Sequence, residues 1–175
     1  MIALRLLPAV LAAALLGAGC SHTHAPLPTV AAVDLDRYAG RWVEIAHLPN
    51  RFQAQCVSDT RATYTRDKDR ITVLNACRTA DGGFDSVQGI AHAVEGSGNA
   101  KLRVSFFRPF YGDYWVLALD PDYRWVLVGE PSRQYAWILA RTPQLDAATR
   151  DALLARAAEL GFDRSAFVTT PHTQP

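Results

Sequence analysis

Short segments in which apolar and polar residues alternate recur at intervals of about a dozen residues through the middle of the chain. Period-two alternation of this kind predicts β-strands with one buried face. The predicted strands span residues 40–47, 57–66, 70–78, 84–94, 102–107, 114–120, 125–129 and 135–141. Turn signals such as Asp81-Gly82-Gly83 and Asp120-Pro121-Asp122 separate them. Eight short strands predict an all-β barrel or sandwich, and the succession of hairpins favours an eight-stranded antiparallel up-and-down β-barrel.

One amphipathic helix is predicted after the last strand. Asp146 is a suitable N-cap residue and Gly161 a suitable C-cap residue, so the predicted C-terminal helix covers residues 146–160. Its apolar stripe consists of Leu153, Leu154, Ala157 and Leu160. Because a stripe at this spacing is typical of packing, we expect the helix to lie against the outside of the barrel.

The first residues have a different pattern. Arg5 precedes an apolar run at residues 6–16, which is too short to span about 30 Å of hydrocarbon but suits a secretory signal peptide over residues 1–19. Gly17-Ala18-Gly19-Cys20 resembles a bacterial lipobox, although Gly17 stands where leucine is usual, and this predicts a lipidated Cys20. Ordinary signal peptidase cleavage, giving a soluble periplasmic or secreted protein, is the alternative.

The polar, proline-rich stretch after Cys20 predicts a flexible tether. Ser21, directly after the cysteine, resembles the pattern of lipoproteins that are sorted to the outer membrane. His22 and His24 lack further ligands, so no metal site is predicted there. The expected segments are therefore a tether at residues 20–32, a barrel domain at 33–170 and a tail at 171–175.

Composition excludes two classes of protein. The 175 residues carry 18 Lys and Arg against 17 Asp and Glu, a net charge of +1, and this balance provides no basic patch for nucleic acid. A hydrophobic content of 49% and an aromatic content of 10% are too high for a disordered chain. All seventeen aromatic residues lie at or after Tyr38, so the folded core belongs to the part of the chain that follows the leader.

Two cysteines remain once the lipobox cysteine is set aside. Pairing the predicted strands across a three-residue turn at 67–69 sets Tyr64 near Thr72. The same pairing brings Cys56 within a few positions of Cys77. We therefore predict a disulfide between them, which in the chain-entropy model stabilises the fold by about 3 kcal/mol. Two buried free thiols are the alternative.

Four motifs follow one another along the mature chain. They are Gly40-Arg41-Trp42 and the segments 104–114 (VSFFRPFYGDY), 119–123 (LDPDY) and 137–143 (WILARTP). Together they resemble the lipocalin family, in particular the bacterial outer-membrane lipocalins that are relatives of apolipoprotein D. The resemblance extends over about residues 33–168. It implies a barrel whose floor is formed by Gly40, Trp42 and Arg141, with the guanidinium lying across the indole.

Side chains of a barrel strand point alternately into and out of the barrel. Taking Arg141 as inward at the floor assigns one face of each strand to the interior. The predicted cavity residues are Tyr64, Val73, Asn75, Ala91, Val104, Phe106, Tyr114, Val116, Trp137 and Leu139. Such residues are typical of an apolar cavity, although they also suit a filled core. Arg108, Phe110 and Tyr111 are predicted at the open mouth, with Arg108 as a partner for an anionic head group.

The resemblance implies that the protein binds and stores or transports fatty acids or lysophospholipids in membrane biogenesis or maintenance. It also implies an outer-membrane anchor with the domain facing the periplasm. An enzyme on the same fold is the second hypothesis, but His47 and His92 fall on separate strands, so we predict neither an enzyme nor a cofactor. An envelope scaffold with a vestigial cavity is the third, and a homodimer through Phe107 or Trp115 is compatible with the first or the third.

Overall fold

Nine strands form one antiparallel sheet in the computed structural model, which describes residues 25–68 and 70–173. They are β1 (Gly40–His47), β2 (Cys56–Asp67), β3 (Arg70–Thr79), β4 (Phe84–Ala93), β5 (Lys101–Phe107), β6 (Phe110–Leu119), β7 (Trp125–Gly129), β8 (Ala136–Ala140) and β9 (Val168–Thr169). Each strand from β1 to β7 pairs with the next, and β8 pairs with β1, so eight strands close into a barrel. The predicted up-and-down barrel is confirmed.

The connections between strands define the two ends of the barrel. We call the end that holds the β1–β2, β3–β4, β5–β6 and β7–β8 connections the mouth, and the opposite end the floor. A short helix, α1 (Leu35–Tyr38), lies at the floor directly before β1, and the sequence did not predict it. The Asp34 side chain caps α1 by accepting a hydrogen bond from the Asp36 amide at 2.9 Å.

The chain before α1 runs along the outside of the barrel from the mouth to the floor. At the mouth end, the Arg133 guanidinium in the β7–β8 connection donates to the Ala25 carbonyl. Leu27 is buried, with 5% of its surface exposed, in the apolar cluster on the outer wall. At the floor end, the Val33 amide donates to the Gly98 carbonyl at 2.8 Å. The segment is therefore held by contacts along its length.

Several sequence predictions fall on residues that lie outside the described part of the chain. These are the signal peptide at 1–19, the lipidation of Cys20 and the assignments of His22 and His24. Of the predicted flexible tether at 20–32, the part from Ala25 onward is packed against the barrel. Over residues 25–68 and 70–173, no helix has both the length and the apolar content needed to cross a membrane.

The β2–β3 register differs by one residue from the predicted one. Tyr64 pairs with Val73 rather than with Thr72. At this turn β2 extends one residue further than expected, to a last pair formed by Asp67 and Arg70, so the predicted three-residue turn was one residue too long. The pairing places Tyr64 and Val73 on the same face of the sheet, where both are buried.

The ninth strand, β9, closes a gap between β1 and β2 near the mouth. The first half of β1 pairs with β2, but its second half pairs with β9, where Ala46 lies opposite Thr169. The chain then crosses to β2, because the Asp59 amide donates to the Pro171 carbonyl at 2.9 Å. Residues 168–173, which we call the C-terminal strap, thus complete the wall on this side.

Helix α2 (Ala147–Glu159) packs on the outside of the barrel. The Asp146 side chain accepts from the Thr149 amide at 2.9 Å, as expected of the N-cap. Leu160 is the C-cap, and Gly161, which was predicted there, occupies the next position with φ +89°, a conformation that favours glycine. The apolar cluster under the helix includes Leu153, Ala157, Leu127, Ile138 and Val43.

Candidate functional site

The floor of the barrel is built on Trp42. Its side chain is fully buried, and its indole Nε1 donates to the Tyr38 carbonyl at 2.8 Å. The Arg141 guanidinium carbon lies 3.9 Å from the centroid of the indole ring, within the range of a cation–π interaction. The floor residues predicted from the resemblance therefore lie in contact with one another.

Arg141 also ties together the chain that crosses the floor. Its guanidinium donates to five backbone carbonyls. The three shortest of these hydrogen bonds are to Arg37, Ala39 and Arg41, around the end of α1 and the start of β1, at 2.7, 3.1 and 2.9 Å. Gly40 has φ +93°, and a Cβ there would lie 3.4 Å from Arg141 Nη1, so glycine lets the backbone turn beneath the guanidinium. Burial lowers the pKa of Arg141.

Three tyrosine hydroxyl groups meet above the floor. Tyr114 Oη lies 2.6 Å from Tyr38 Oη and 2.9 Å from Tyr64 Oη. Burial raises the pKa of Tyr64 to about 12 and holds the pKa of Tyr38 and Tyr114 well above the usual value, so all three remain neutral at physiological pH. We call these residues the tyrosine cluster. Tyr38, which α1 contributes, was not among the predicted interior residues.

The ten predicted cavity residues occupy different depths of the interior. Five are buried in the inner apolar cluster, namely Tyr64, Val73, Ala91, Val116 and Leu139. Three pack against that cluster and are partly buried, namely Val104, Tyr114 and Trp137. Asn75 is half-buried and Phe106 is 40% exposed. The deeper predicted positions therefore contribute to a packed core, and the shallower ones lie toward the mouth.

In the mouth half of the interior, apolar side chains on the inner face of the barrel are partly exposed to solvent. Val87 lies opposite Asn75 in the β3–β4 ladder, and Asn75 lies opposite buried Ala62, so all three share the interior face. Val87 is nevertheless 46% exposed. The Phe106 ring lies over Gly89, where a Cβ would approach it to 2.6 Å, so glycine makes room for the ring.

The predicted mouth residues lie around the β5–β6 connection. Phe110 is 72% exposed, and Arg108 and Tyr111 are also exposed. Phe107, proposed as a dimer contact, is the last residue of β5 and is 78% exposed. Trp115, the other proposed contact, is half-buried on the outer wall with the Lys101 ammonium 4.0 Å from its ring centroid.

A buried carboxylate lies on the interior face of β1 and was not predicted as a site residue. Glu44 is 3% exposed, and its Oε1 accepts from the Thr170 hydroxyl at 2.5 Å. His47 Nδ1 lies 2.9 Å from the same oxygen, and Gln53 Nε2 donates to the carboxylate at 3.0 Å. Gln53 Oε1 in turn accepts from Trp137 Nε1 at 3.1 Å. The carboxylate is therefore fully engaged within the protein.

A cavity of about 280 Å³ lies beside this carboxylate. It is bordered by the β1–β2 connection, the start of β2 and the C-terminal strap, and none of the ten predicted cavity residues lines it. His47 lines this cavity, whereas His92 lies on β4 with its ring 6.4 Å from that of Tyr111. The two histidines considered for catalysis are thus on different strands, as the sequence predicts.

Cys56 and Cys77 are joined by a disulfide with their Cα atoms 5.5 Å apart. The bond links the start of β2 to the end of β3 near the mouth. Within the described residues, no group of three or more His, Cys, Asp or Glu side chains is arranged to hold a metal ion.

The barrel is closed at its floor and has exposed apolar side chains near its mouth. It therefore belongs to the class of eight-stranded antiparallel barrels that are open at one end. A family model described as a lipocalin-like domain matches residues 33–172. The chain belongs to the lipocalin family, and the resemblance seen in its motifs is confirmed.

Similar proteins come from bacteria, plants and animals. Temperature-induced lipocalin-1 of Arabidopsis thaliana is 42% identical, covering 84% of this chain and 83% of that protein. Outer membrane lipoprotein Blc of Escherichia coli K12 is 41% identical, covering 94% and 96%. Apolipoprotein D of Macaca fascicularis is 38% identical, covering 69% and 67%. Among solved structures, insecticyanin of Manduca sexta superposes with a TM-score of 0.71 at 24% identity, covering 86% and 87%, which shows the fold.

Proposed function

We propose that this lipocalin binds one small hydrophobic ligand, a fatty acid or a lysophospholipid, with the acyl chain in the mouth half of the barrel. The observation that carries the proposal is the exposure of Val87 and Phe106, at 46% and 40%, on the interior face. Apolar side chains that face inward and remain partly exposed to solvent are suited to contact a ligand. Membership of the lipocalin family supports the same assignment.

The tyrosine cluster sets the depth that an acyl chain reaches. Tyr64 and Tyr114 are hydrogen-bonded to each other and close the interior above the packed core. Between this layer and the mouth, Trp137 and Phe106 provide aromatic surface. Each buried methylene contributes about 0.8 kcal/mol, so ten of them contribute roughly 8 kcal/mol before ordering costs.

The head group would remain at the mouth. Arg108 is exposed in the β5–β6 connection and offers a guanidinium to a carboxylate or phosphate. Phe110 and Tyr111, which are exposed in the same hairpin, would border the head group. A ligand with one chain and one anionic group suits this arrangement.

The location we propose is the outer membrane, on its periplasmic side, through a lipid on Cys20. The lipobox-like sequence Gly17-Ala18-Gly19-Cys20 supports the anchor. Bacterial relatives named outer membrane lipoprotein Blc support the compartment, and the E. coli K12 protein matches 94% of this chain. Storage or transport of lipids there would serve membrane biogenesis or maintenance. A carrier of this kind needs no catalytic group.

The test is a series of saturated lysophospholipids measured by native mass spectrometry. Affinity is expected to rise about fourfold for each added methylene until the chain reaches the tyrosine cluster. Val87→Trp should fill the site and weaken binding. Leu74→Trp is the matched control, because Leu74 is 40% exposed on the outer face of the adjacent strand. Affinity that does not depend on chain length, or equal affinity in both variants, would contradict the proposal.

A further inference from the structure

We propose that the mouth of the barrel docks onto the surface of the lipid bilayer that carries the N-terminal anchor. This inference rests on the proposed lipidation of Cys20 and concerns an interaction surface rather than the ligand site. It combines the position at which the chain meets the barrel with the side chains that surround the mouth.

The described part of the chain begins at the mouth end. Ala25 is bound there by Arg133, and only four residues lie between it and Cys20, which limits the reach from Ala25 to Cys20 to about 18 Å. β2 has 12 residues, so the barrel wall is about 40 Å along the strand and roughly 30 Å high after tilting. A lipid on Cys20 therefore cannot reach past the floor. The membrane must lie beside or above the mouth half of the barrel.

The mouth also carries exposed aromatic side chains. Phe107 at the end of β5 and Phe110 at the start of β6 are 78% and 72% exposed, and Phe52 in the β1–β2 connection is 58% exposed. We call these three residues the aromatic rim. Arg51 and Arg108 adjoin them and suit anionic head groups. Phenylalanines flanked by arginines are typical of surfaces that insert into the interface of a bilayer.

The floor end has no comparable surface among the residues that the structure describes. Val94, in the β4–β5 connection, is the large apolar residue exposed in the floor connections, at 37%. The proposed anchor, which begins at the same end as the rim, favours a membrane over a second copy as the occupant of the rim. Because the anchor keeps the rim within a short distance of the bilayer, its effective concentration there is high.

The experiment uses the mature lipoprotein, purified from membranes and reconstituted into phosphatidylethanolamine vesicles with a minority of phosphatidylglycerol and a nitroxide-labelled lipid. A fluorophore is attached at Ser132→Cys at the mouth or at Asp122→Cys at the floor, two exposed positions. We expect quenching of the mouth label and its absence at the floor label. Equal quenching at both, stronger quenching at the floor, or a protein that does not float with the vesicles would overturn the proposal.

Variants identify the surface responsible. F52S/F107S should abolish quenching of the mouth label, whereas V94S, the matched exposed residue at the floor, should leave it unchanged. Retained quenching in F52S/F107S would overturn the role of the rim, as would a dimer that buries the rim on the vesicles. Lysophospholipid affinity, measured on the same preparations, should be unchanged in F52S/F107S, because neither residue belongs to the proposed ligand site. Loss of ligand binding in the parent protein would refute the proposed function instead, so the two failures are distinguishable.

Discussion

Substitution of Arg141 by alanine should destabilise the barrel while leaving its ligand site intact. The change removes a cation–π contact with Trp42, about 1–2 kcal/mol, and five hydrogen bonds from a charged donor, three of which are 3.1 Å or shorter. If each of these three bonds contributes about 0.5–1 kcal/mol net, the loss of stability is about 2.5–5 kcal/mol. In a domain of this size each kcal/mol lowers Tm by about 2–4 °C, so we expect a decrease of about 10 °C.

Thermal denaturation followed by circular dichroism measures this decrease, and titration with a lysophospholipid measures the affinity. Arg141→Lys should fall between the parent and Arg141→Ala, because an ammonium keeps the charge but cannot reach three carbonyls in one plane. Arg70→Ala, at a side chain 54% exposed, should leave Tm nearly unchanged. If Arg141→Ala weakens ligand binding more than it lowers Tm, the assignment of a structural floor is wrong.

Two further predictions concern stability. Replacing both Cys56 and Cys77 by alanine should lower the free energy of unfolding by about 3 kcal/mol in urea titrations, since the bond closes a loop with a sequence separation of 21 residues; unchanged stability would refute this. Side-chain hydrogen bonds from Arg124 lower the pKa of Asp120 to about 2. The stability that this carboxylate contributes is present above its unfolded pKa of about 4 and is lost as pH falls toward 2. Asp120→Asn should therefore be less stable at pH 7 and flatten the acid decline, whereas parallel curves would contradict the assignment.

The barrel wall was predictable because burial of one face imposes a period of two along each strand. β9 has only two residues, Val168 and Thr169, so it carries no periodicity. It exists because β2 pairs with only the first half of β1, a fact of three-dimensional register. Helix α1 was missed for a similar reason, since four residues are too few for a helical pattern.

The sequence predicts which residues face the interior of the barrel, but it does not predict which levels of the interior are filled by side chains. Alternation indicates which face a residue such as Val73 occupies, but it does not indicate whether that level of the barrel is filled. Tyr38 fills part of the interior from α1, which the strand pattern could not reveal. Glu44 was missed because its partners Gln53 and Thr170 come from the β1–β2 connection and from the C-terminal strap, 9 and 126 residues away.

The C-terminal strap constrains the order in which this molecule can be assembled. Its residues contact β1 and β2 across more than a hundred residues of chain, as in the hydrogen bond from Thr173 to Asp59 at a separation of 114. β2 to β8 can form hairpins with their neighbours in sequence, but the edge of the second half of β1 stays open until the strap arrives. An open strand edge is a pairing surface for other chains. Sealing of the barrel is therefore a late event, and the interval before it is when a newly made copy is exposed to aggregation.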